Sequence, residues 1–424
     1  MASQPDFSSE TFNRDPAAGI AMLRAQGEVV EVRFPIVGRV WLTTTYDAAS
    51  VMLKESATFT LRKEDGEVAG LRWWMPKSIT AVANNMLTMD EPDHTRLRSI
   101  VDEAFRRRAV LDMEPHIRGI ADRLADELFA TGSPADLIPR YARILPVSVI
   151  CELLGLPLAD RPTFIAWASA MTQLRGPISF LRMMGSLSKM RKYLAQQLQF
   201  ARERGGEGLI AELVQVEKEG GRITPDEMVS MVFLLLGAGS ETTTHLISGS
   251  VFELLKDHAR RDWLTADWNR LGLAVEEFLR FVSPVQFTKP RYVRRDVEFG
   301  GVHLKKGDRV MAMIAAANID PTVHERPERM DLARKPNRHI SFGTGIHFCL
   351  PPAGTHRGGI CAASAVHALA RSPARGETPA HPLARPPRHP LDRQVARRRG
   401  QLMAALHARS LPRLGRLVGC TKAR

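Results

Sequence analysis

The chain has 424 residues, of which 44% are hydrophobic and 25% are charged. This suits one large composite domain or two to three ordinary ones, with the composition of a globular protein. The four cysteines, at positions 151, 349, 361 and 420, lack metal-binding spacing, which excludes a disulfide scaffold and favours a reducing cytosol. Because no apolar run approaches the roughly 20 residues of a membrane span and residues 1–15 lack a signal pattern, we expect a cytoplasmic protein without a membrane partner.

The formal charge of +13 lies almost entirely near the C-terminus. Residues 351–424 hold 14 Lys or Arg and two acids, which gives +12, whereas residues 1–350 hold 45 basic and 44 acidic groups. The same tail contains no aromatic residue and nine of the 27 prolines. Such a composition is typical of disorder. We therefore predict an N-terminal arm (1–20), a folded body (21–350) and a basic Pro/Arg/Ala-rich tail (351–424) that is disordered or out of frame.

The predicted elements describe a mainly α body with a small β portion. Alternating apolar and polar residues from Glu28 to Thr45 predict a hairpin. The capping box Thr224-Pro225-Asp226-Glu227 predicts a helix of about 30 residues that ends near Lys256. Strand-like patterns run from Arg291 to Met313. Helical periodicity predicts further helices over Ala48–Glu55, Thr95–Phe105, Val110–Thr131, Ile144–Leu154, Phe180–Glu203 and Asn269–Phe281.

The strongest chemical motif is Phe342-Gly343-Thr344-Gly345-Ile346-His347-Phe348-Cys349. Its two glycines allow a tight, left-handed backbone close to another surface. A single Cys after such a turn can offer one thiolate to a metal. The alternative is a loop with an ordinary buried Cys, which is the commoner state of a lone cysteine.

A second motif, Ala238-Gly239-Ser240-Glu241-Thr242, lies in the middle of the predicted long helix. Glycine and three consecutive threonines are poor helix formers, and such local conflicts tend to mark functional sites. Gly239 leaves space beside the helix, the Thr242 hydroxyl can act as a donor, and the Glu241 carboxylate can move protons. The alternative is a surface helix with back-bonded threonines.

Two weaker motifs consist of charged side chains on helices. Glu277 and Arg280 are three residues apart and can pair, although an ordinary surface ion pair would look the same. His94 and Arg98 are four residues apart and share a helix face. His94 taken alone indicates no more than an ordinary surface histidine.

The cysteine motif resembles the heme-ligand loop Phe-Gly-x-Gly-x-His-x-Cys of the cytochrome P450 family. The resemblance extends over residues 20 to 350 in order and spacing, includes Asn318-Ile319-Asp320-Pro321, and is to the soluble bacterial-type members. It implies the cytochrome P450 fold and a heme b whose iron is ligated axially by Cys349. Phe342, Gly343 and His347 would then contact the cofactor.

The other motifs acquire roles from the same resemblance. Thr242 and Glu241 match the family's acid–alcohol pair of oxygen activation, and Ala238 and Gly239 match the helix face beside the heme. The family adds a downstream arginine to the Glu277–Arg280 pair in a buried network, and Arg329 in Arg326-Pro327-Glu328-Arg329 matches it. Two buried propionates need cationic or hydrogen-bonding partners. The matching residues for that task are His94, Arg98, Arg291 and His347.

The implied reaction inserts one oxygen atom from O2 into a C–H bond of a small hydrophobic substrate. Electrons would come from a ferredoxin or flavodoxin and its NAD(P)H reductase. The Arg106-Arg107-Arg108 run is a candidate contact for an acidic redox partner, or simply a solvated helix end. Candidate pocket segments are residues 71–87 with Trp73 and Trp74, residues 167–185, residues 235–242 and residues 285–288.

The pattern breaks directly after Cys349. The family continues with glycine and a helix whose first N–H groups stabilise the thiolate, whereas this chain continues Leu350-Pro351-Pro352-Ala353-Gly354. Proline has no N–H, so two donors are absent and the C-terminal part is atypical. We hypothesise a reading-frame shift close to codon 350. Translation of the other two frames tests it, because neither would yield a Leu-Ala-Arg-like helix and strands if the idea is wrong.

Three other functions compete with a monooxygenase. An inactive relic, or a heme-binding protein without turnover, would follow from loss of the segment after the cysteine. A peroxide-driven peroxygenase is less favoured, because Glu241 and Thr242 equip the oxygen-activation route. A nucleic-acid binder rests only on tail charge such as Arg397-Arg398-Arg399, and a basic stretch without aromatic residues is usually a solvated tail. We therefore expect no nucleic-acid partner.

Overall fold

The computed structural model describes residues 15–34, 37–66, 84–107, 113–132, 134–172 and 177–350, together with residues 4–7, 9, 12, 68 and 364. Over these residues the protein is mainly helical, with one five-stranded sheet and a separate two-stranded sheet. This confirms the predicted fold class, mainly α with a small β portion. Several features named in the sequence analysis lie outside the described residues. They are the tail apart from Ser364, Arg108, the side chains of Arg106 and Arg107, and Trp73 and Trp74. The predictions made for them stay predictions.

The helices of the described part follow the sequence patterns closely. The predicted Ile144–Leu154 helix has those same bounds, and the Ala48–Glu55 and Asn269–Phe281 helices differ from the observed ones by one or two residues at each end. The helices are α1 (Pro16–Arg24), α2 (Tyr46–Lys54), α3 (Asp93–Arg107), α4 (Glu114–Ala130), α5 (Ile144–Leu154), α6 (Arg161–Thr172), α7 (Pro177–Arg204), α8 (Leu209–Lys218), α9 (Pro225–Lys256), α10 (His258–Ala266), α11 (Leu271–Val282) and α12 (Ile314–Asn318).

The long helix α9 has 32 residues and begins as its capping box predicts. The Glu227 amide donates to the Thr224 hydroxyl oxygen at 3.2 Å, and the Thr224 amide donates to the Glu227 carboxylate at 2.8 Å. Two amides that would otherwise lack partners are thereby satisfied. At about 1.5 Å per residue the helix spans about 48 Å, and it packs against α5, α7, α10 and α11.

The sheet joins the N-terminal hairpin to the strands that follow α11. Its order is β1-β2-β7-β4-β3, with β2 and β7 parallel and the other pairs antiparallel, while β5 and β6 form a separate hairpin. The predicted hairpin between Glu28 and Thr45 is confirmed, because Phe34 pairs with Gly38 next to the turn. The strands are β1 (Val29–Phe34), β2 (Gly38–Thr43), β3 (Phe59–Thr60), β4 (Arg291–Val293), β5 (Val297–Phe299), β6 (Val302–Leu304) and β7 (Arg309–Ala312).

Two large hydrophobic clusters meet along α9. Its N-terminal half contributes Met228, Leu235 and their neighbours to one cluster, and its C-terminal half contributes Leu246 and Leu254 to the other. Residues 237–245 belong to neither cluster. The sheet has its own core, which includes Ile20 of α1. Helix α1 therefore crosses the boundary that was predicted at residue 20. The gap at residues 237–245 coincides with the motif that the sequence singled out in this helix.

Candidate active site

The cysteine-bearing loop is a tight, left-handed turn, as its glycines predict. Gly343 and Gly345 have φ angles of 72° and 75°, which side chains disfavour. The Cys349 amide donates to the Phe342 carbonyl at 3.0 Å and closes the loop across its base. The Cys349 side chain is exposed at its end, so the alternative of an ordinary buried cysteine is wrong.

The cysteine-bearing loop packs closely against the C-terminal end of α2. A Cβ on Gly345 would lie 2.4 Å from the Leu53 carbonyl oxygen, closer than two such atoms can approach. Behind the loop, the Asn318 side chain donates to Ser341 Oγ at 2.9 Å and accepts from the Ile340 amide at 2.9 Å. Asn318, part of a matched motif, therefore fixes the entry to the loop.

The predicted cationic residues meet beside this loop. The rings of His94 and His347 have centroids 4.3 Å apart in an edge-to-face arrangement. Arg98 donates to the Phe348 carbonyl at 2.7 Å, so helix α3 is tied to the residue before Cys349. Arg291 is buried and donates to the Leu53 carbonyl at 3.2 Å, which is the same carbonyl that borders Gly345. The structure thus brings together all four residues that the resemblance assigned to the propionates.

The electrostatics of this group favour an anion. Burial, and then the charges of His94, Arg291, Arg98 and Lys289, lower the pKa of His347 to about 3. Burial is also the main cause that lowers the pKa of His94, and it lowers the pKa of Arg291 to about 10. Each shift disfavours the protonated form, chiefly because burial removes water from the charge. An added anion would reverse that penalty.

The long helix presents an accessible face at its central motif. Ala238, Glu241 and His245 are exposed, although Ser240, Thr243 and Thr244 between them are buried. Their spacing of three and four residues places them on one face. The Thr242 hydroxyl donates to the Ala238 carbonyl at 2.7 Å, so it is back-bonded within an accessible helix face. A Cβ on Gly239 would lie 3.4 Å from Ile150, an ordinary contact, so packing against α5 does not by itself require glycine here.

The Glu277–Arg280 pair is a buried network, not a surface ion pair. Both side chains are fully buried, and the guanidinium Nε lies 2.8 Å from the carboxylate. The prediction that Arg329 is the third member is wrong. Arg329 is exposed, and only its backbone carbonyl takes part, accepting from Arg280 at 3.2 Å. The third guanidinium is that of Arg334, whose Nε lies 3.2 Å from Glu277. The turn after Arg329 carries the chain past the carboxylate, where the Asp331 amide donates to Glu277 at 2.8 Å.

Three relevant residues were absent from the sequence prediction. Arg334 carries no distinguishing local signal, since several arginines lie nearby. His245 could have been found from its place four residues after Glu241. Lys289 could have been found from its place two residues before Arg291, since alternate residues of an extended segment share a face.

The comparisons with known proteins point to one family. The family model described as Cytochrome P450 matches residues 270–350. The vitamin D(3) 25-hydroxylase of Pseudonocardia autotrophica is 38% identical over 353 residues, which are 82% of this chain and 84% of that protein. The 6-deoxyerythronolide B hydroxylase of Saccharopolyspora erythraea is 33% identical, over 82% of this chain and 87% of that protein.

Solved structures agree in fold. The crystal structure of a myxobacterial cytochrome P450 in complex with myristic acid superposes with a TM-score of 0.77 at 33% identity, over 86% of this chain and 90% of that one. Within the described residues, no helix is long and apolar enough to cross a membrane.

Proposed function

The chain belongs to the cytochrome P450 family of heme-thiolate monooxygenases, and on that premise we propose that it oxygenates a hydrophobic small molecule, with Cys349 as the axial ligand of a heme b. The observation that best supports this proposal is the exposed thiol of Cys349 at the end of a tight loop. Cationic side chains lie beside this loop, and few carboxylates contact them. No other cysteine of the described part combines these features, because Cys151 is buried and its pKa is raised to about 12 by burial.

The residues present fit a heme b. Its propionates match the cationic side chains near Cys349, and its apolar face matches the small residue Ala238 on the exposed face of α9, with the half-buried Gly239 next to it. The left-handed Gly343 leaves its part of the loop without a side chain, since the nearest atom to a Cβ there would be the His347 carbonyl oxygen at 3.9 Å. When bound, the heme supplies the oxygen-activating chemistry, tuned by its thiolate ligand.

The protein's own part in the reaction is to position groups and move protons. We assign proton delivery to Glu241, whose exposed carboxylate lies on the accessible face of α9. The Thr242 hydroxyl donates to the carbonyl of Ala238, which lies one helical turn earlier in the chain. This bond orients the Thr242 hydroxyl, so that its oxygen can accept a hydrogen bond from the other side. General acid–base catalysis of this kind contributes about 10²–10⁴-fold to a rate.

The substrate we propose is a hydrophobic molecule without a large polar surface. The candidate segments 235–242 and 285–288 are largely apolar, and exposed apolar side chains such as Leu87 and Val285 occur among the described pocket residues. The names of the relatives give vitamin D(3), 6-deoxyerythronolide B and a complex with myristic acid. These molecules share extended apolar surface, which supports the chemical class and not one compound.

Members of the family work with a redox partner, and we propose a ferredoxin or flavodoxin with its NAD(P)H reductase for this chain, acting in the cytoplasm. The second candidate is a heme-binding protein without turnover. It is favoured by Pro351 and Pro352, which cannot donate hydrogen bonds to a thiolate from the positions after Leu350.

The reduced, CO-bound absorption spectrum of the full chain tests the assignment. The expected result is a Soret band at the thiolate position, lost in Cys349→Ser and retained in the control Cys151→Ala. A nitrogen-type band, or the same spectrum in Cys349→Ser, would contradict thiolate ligation by this residue. A thiolate spectrum without substrate oxidation when electrons are supplied would favour the second candidate.

A further inference from the structure

The cations near Cys349 outnumber the carboxylates that touch them. Three cationic side chains, those of Arg98, Lys289 and Arg291, lie near His347. The carboxylate in contact with these cations is Asp102, 3.3 Å from Arg98 Nε. Lys289 and Arg291 therefore have no carboxylate in contact among the described residues.

Two other acids lie nearby, and one of them, Asp90, favours the charged form of Arg291 without contacting it. Asp90 accepts hydrogen bonds from the amides of Leu61 and Arg62 at 2.9 Å, so its oxygens are directed at the backbone. Glu91 lies 3.7 Å from His94 Nδ1 and accepts from the Thr95 hydroxyl at 2.7 Å. Neither carboxylate contacts Lys289 or Arg291.

Lys289 differs from the two arginines in what surrounds its charge. Arg98 donates to carbonyls and pairs with Asp102, and Arg291 donates to carbonyls at the end of α2. The Lys289 ammonium has no hydrogen bond or ion pair with any residue that the structure describes. Lys289 is exposed, yet partial burial by the surrounding protein lowers its pKa.

The backbone fixes where Lys289 lies. The Thr288 amide donates to the Ala312 carbonyl at 3.0 Å and the Ala312 amide donates back to the Thr288 hydroxyl at 3.0 Å, which anchors the segment to β7. Arg291 opens β4 two residues later. Residues two apart in an extended segment share a face, so Lys289 and Arg291 are directed to the same side, where His347 lies.

We propose that Lys289 is the counterion of one heme propionate, with Arg291 serving the other, so that the two propionates pair with the two cations that lack a carboxylate in contact. This makes Lys289 a positioning residue for the cofactor, and it rests on the proposed binding of heme. His94 and His347 then act as hydrogen-bonding partners of the propionates.

Heme retention measured on the full-length protein tests this proposal. The wild type, Lys289→Met, Lys289→Arg and the control Lys305→Met, which removes another exposed lysine, are loaded with heme b or with its dimethyl ester. Transfer to excess apomyoglobin is then followed by absorbance. We expect Lys289→Met to lose heme b about ten- to a hundredfold faster, since a charge-assisted bond is removed. Lys289→Arg should restore retention, and Lys305→Met should match the wild type.

The ester identifies the interacting group. Because the dimethyl ester carries no propionate charge, wild type and Lys289→Met should release it at equal rates. Equal retention of heme b by both proteins, or an equal loss of heme b and ester on substitution, would overturn the proposal. So would unchanged heme retention together with a lost spectral response to myristic acid, because the ammonium would then serve a carboxylate ligand. If the wild type takes up no heme at all, the proposed function fails first and this inference fails with it.

Discussion

Two groups of charged side chains, one around Glu277 and one beside Cys349, differ in how their charges are partnered. In the network of Glu277, Arg280 and Arg334, each guanidinium contacts the same carboxylate directly. Beside Cys349, Lys289 and Arg291 contact no carboxylate among the described residues. Buried or crowded charge is costly unless it is paired. The first group is therefore complete within the protein, while the second is complete only with an anionic ligand.

The largest effect should follow from removing the shared anion of the first group. Glu277→Gln keeps the side-chain volume but leaves Arg280 and Arg334 without their carboxylate, so we expect a loss of about 3–5 kcal/mol in the free energy of unfolding. Denaturant unfolding of the apoprotein measures it. Glu127→Gln, in an exposed pair 3.9 Å from Arg123, is the matched control and should change stability by less than about 0.5 kcal/mol. Equal effects in the two variants would show that the network is not the structural centre we describe.

A smaller effect should separate the observed third arginine from the predicted one. Arg334→Ala removes a guanidinium that donates to Glu277 and to the Arg329 carbonyl, and hydrogen bonds to charged groups are worth about 1.5–3 kcal/mol. Arg329→Ala leaves its backbone carbonyl in place and should cost less than about 0.5 kcal/mol. Urea midpoints of the two variants give the comparison. The reverse order would restore the sequence-based assignment of Arg329.

The choice between these arginines shows what sequence patterns could not supply here. Glu277 and Arg280 were predictable as a pair because helix periodicity fixes their spacing. The partner from outside the helix depends on the path of an irregular turn, which places the Asp331 amide on Glu277 and brings Arg334 after it. No local rule distinguishes one arginine from another five residues away. The motif alone therefore misplaced the third member.

Local signals were sufficient elsewhere. The capping box at Thr224 set the start of α9, and the glycines of the cysteine loop predicted its left-handed turns. The loop's tertiary neighbours were not predictable in the same way, since the contact of Gly345 with Leu53 joins distant parts of the chain. Lys289 illustrates the middle case. Its spacing from Arg291 was visible, but a lone lysine on a sequence is most often a solvated side chain.

The pH dependence of stability should also divide the molecule. His324 is buried near the first group, and burial, with the charges of Arg280 and Arg334, lowers its pKa to about 4. The unfolded chain binds a proton there near pH 6.5 and the folded protein does not, so folding stability must fall as the pH drops from about 6.5 towards 4. The slope for one such group is at most about 1.4 kcal/mol per pH unit.

His324→Leu should flatten this part of the stability profile by about one proton. Apoprotein unfolding free energies at several pH values between 4.5 and 7 measure the proton difference directly. The change should appear only on the acidic side, since above pH 7 His324 is neutral in both states. An unchanged slope would mean that the ring is protonated in the folded protein despite its two guanidinium neighbours.

The smallest expected effect is the most direct test of the difference between the two groups. Lys289→Met in the apoprotein removes a charge that has no partner among the described residues, so the unfolding free energy should change by less than about 0.5 kcal/mol or rise slightly. Thermal or urea unfolding without heme measures it, and heme-loaded samples of the same two proteins should differ clearly. A loss of 2 kcal/mol or more in the apoprotein, on the order of a broken buried hydrogen bond, would mean that Lys289 is already partnered within the chain. In that case the group beside Cys349 would be a structural network like that of Glu277. Its cations without a carboxylate in contact would then not be evidence for an acidic ligand.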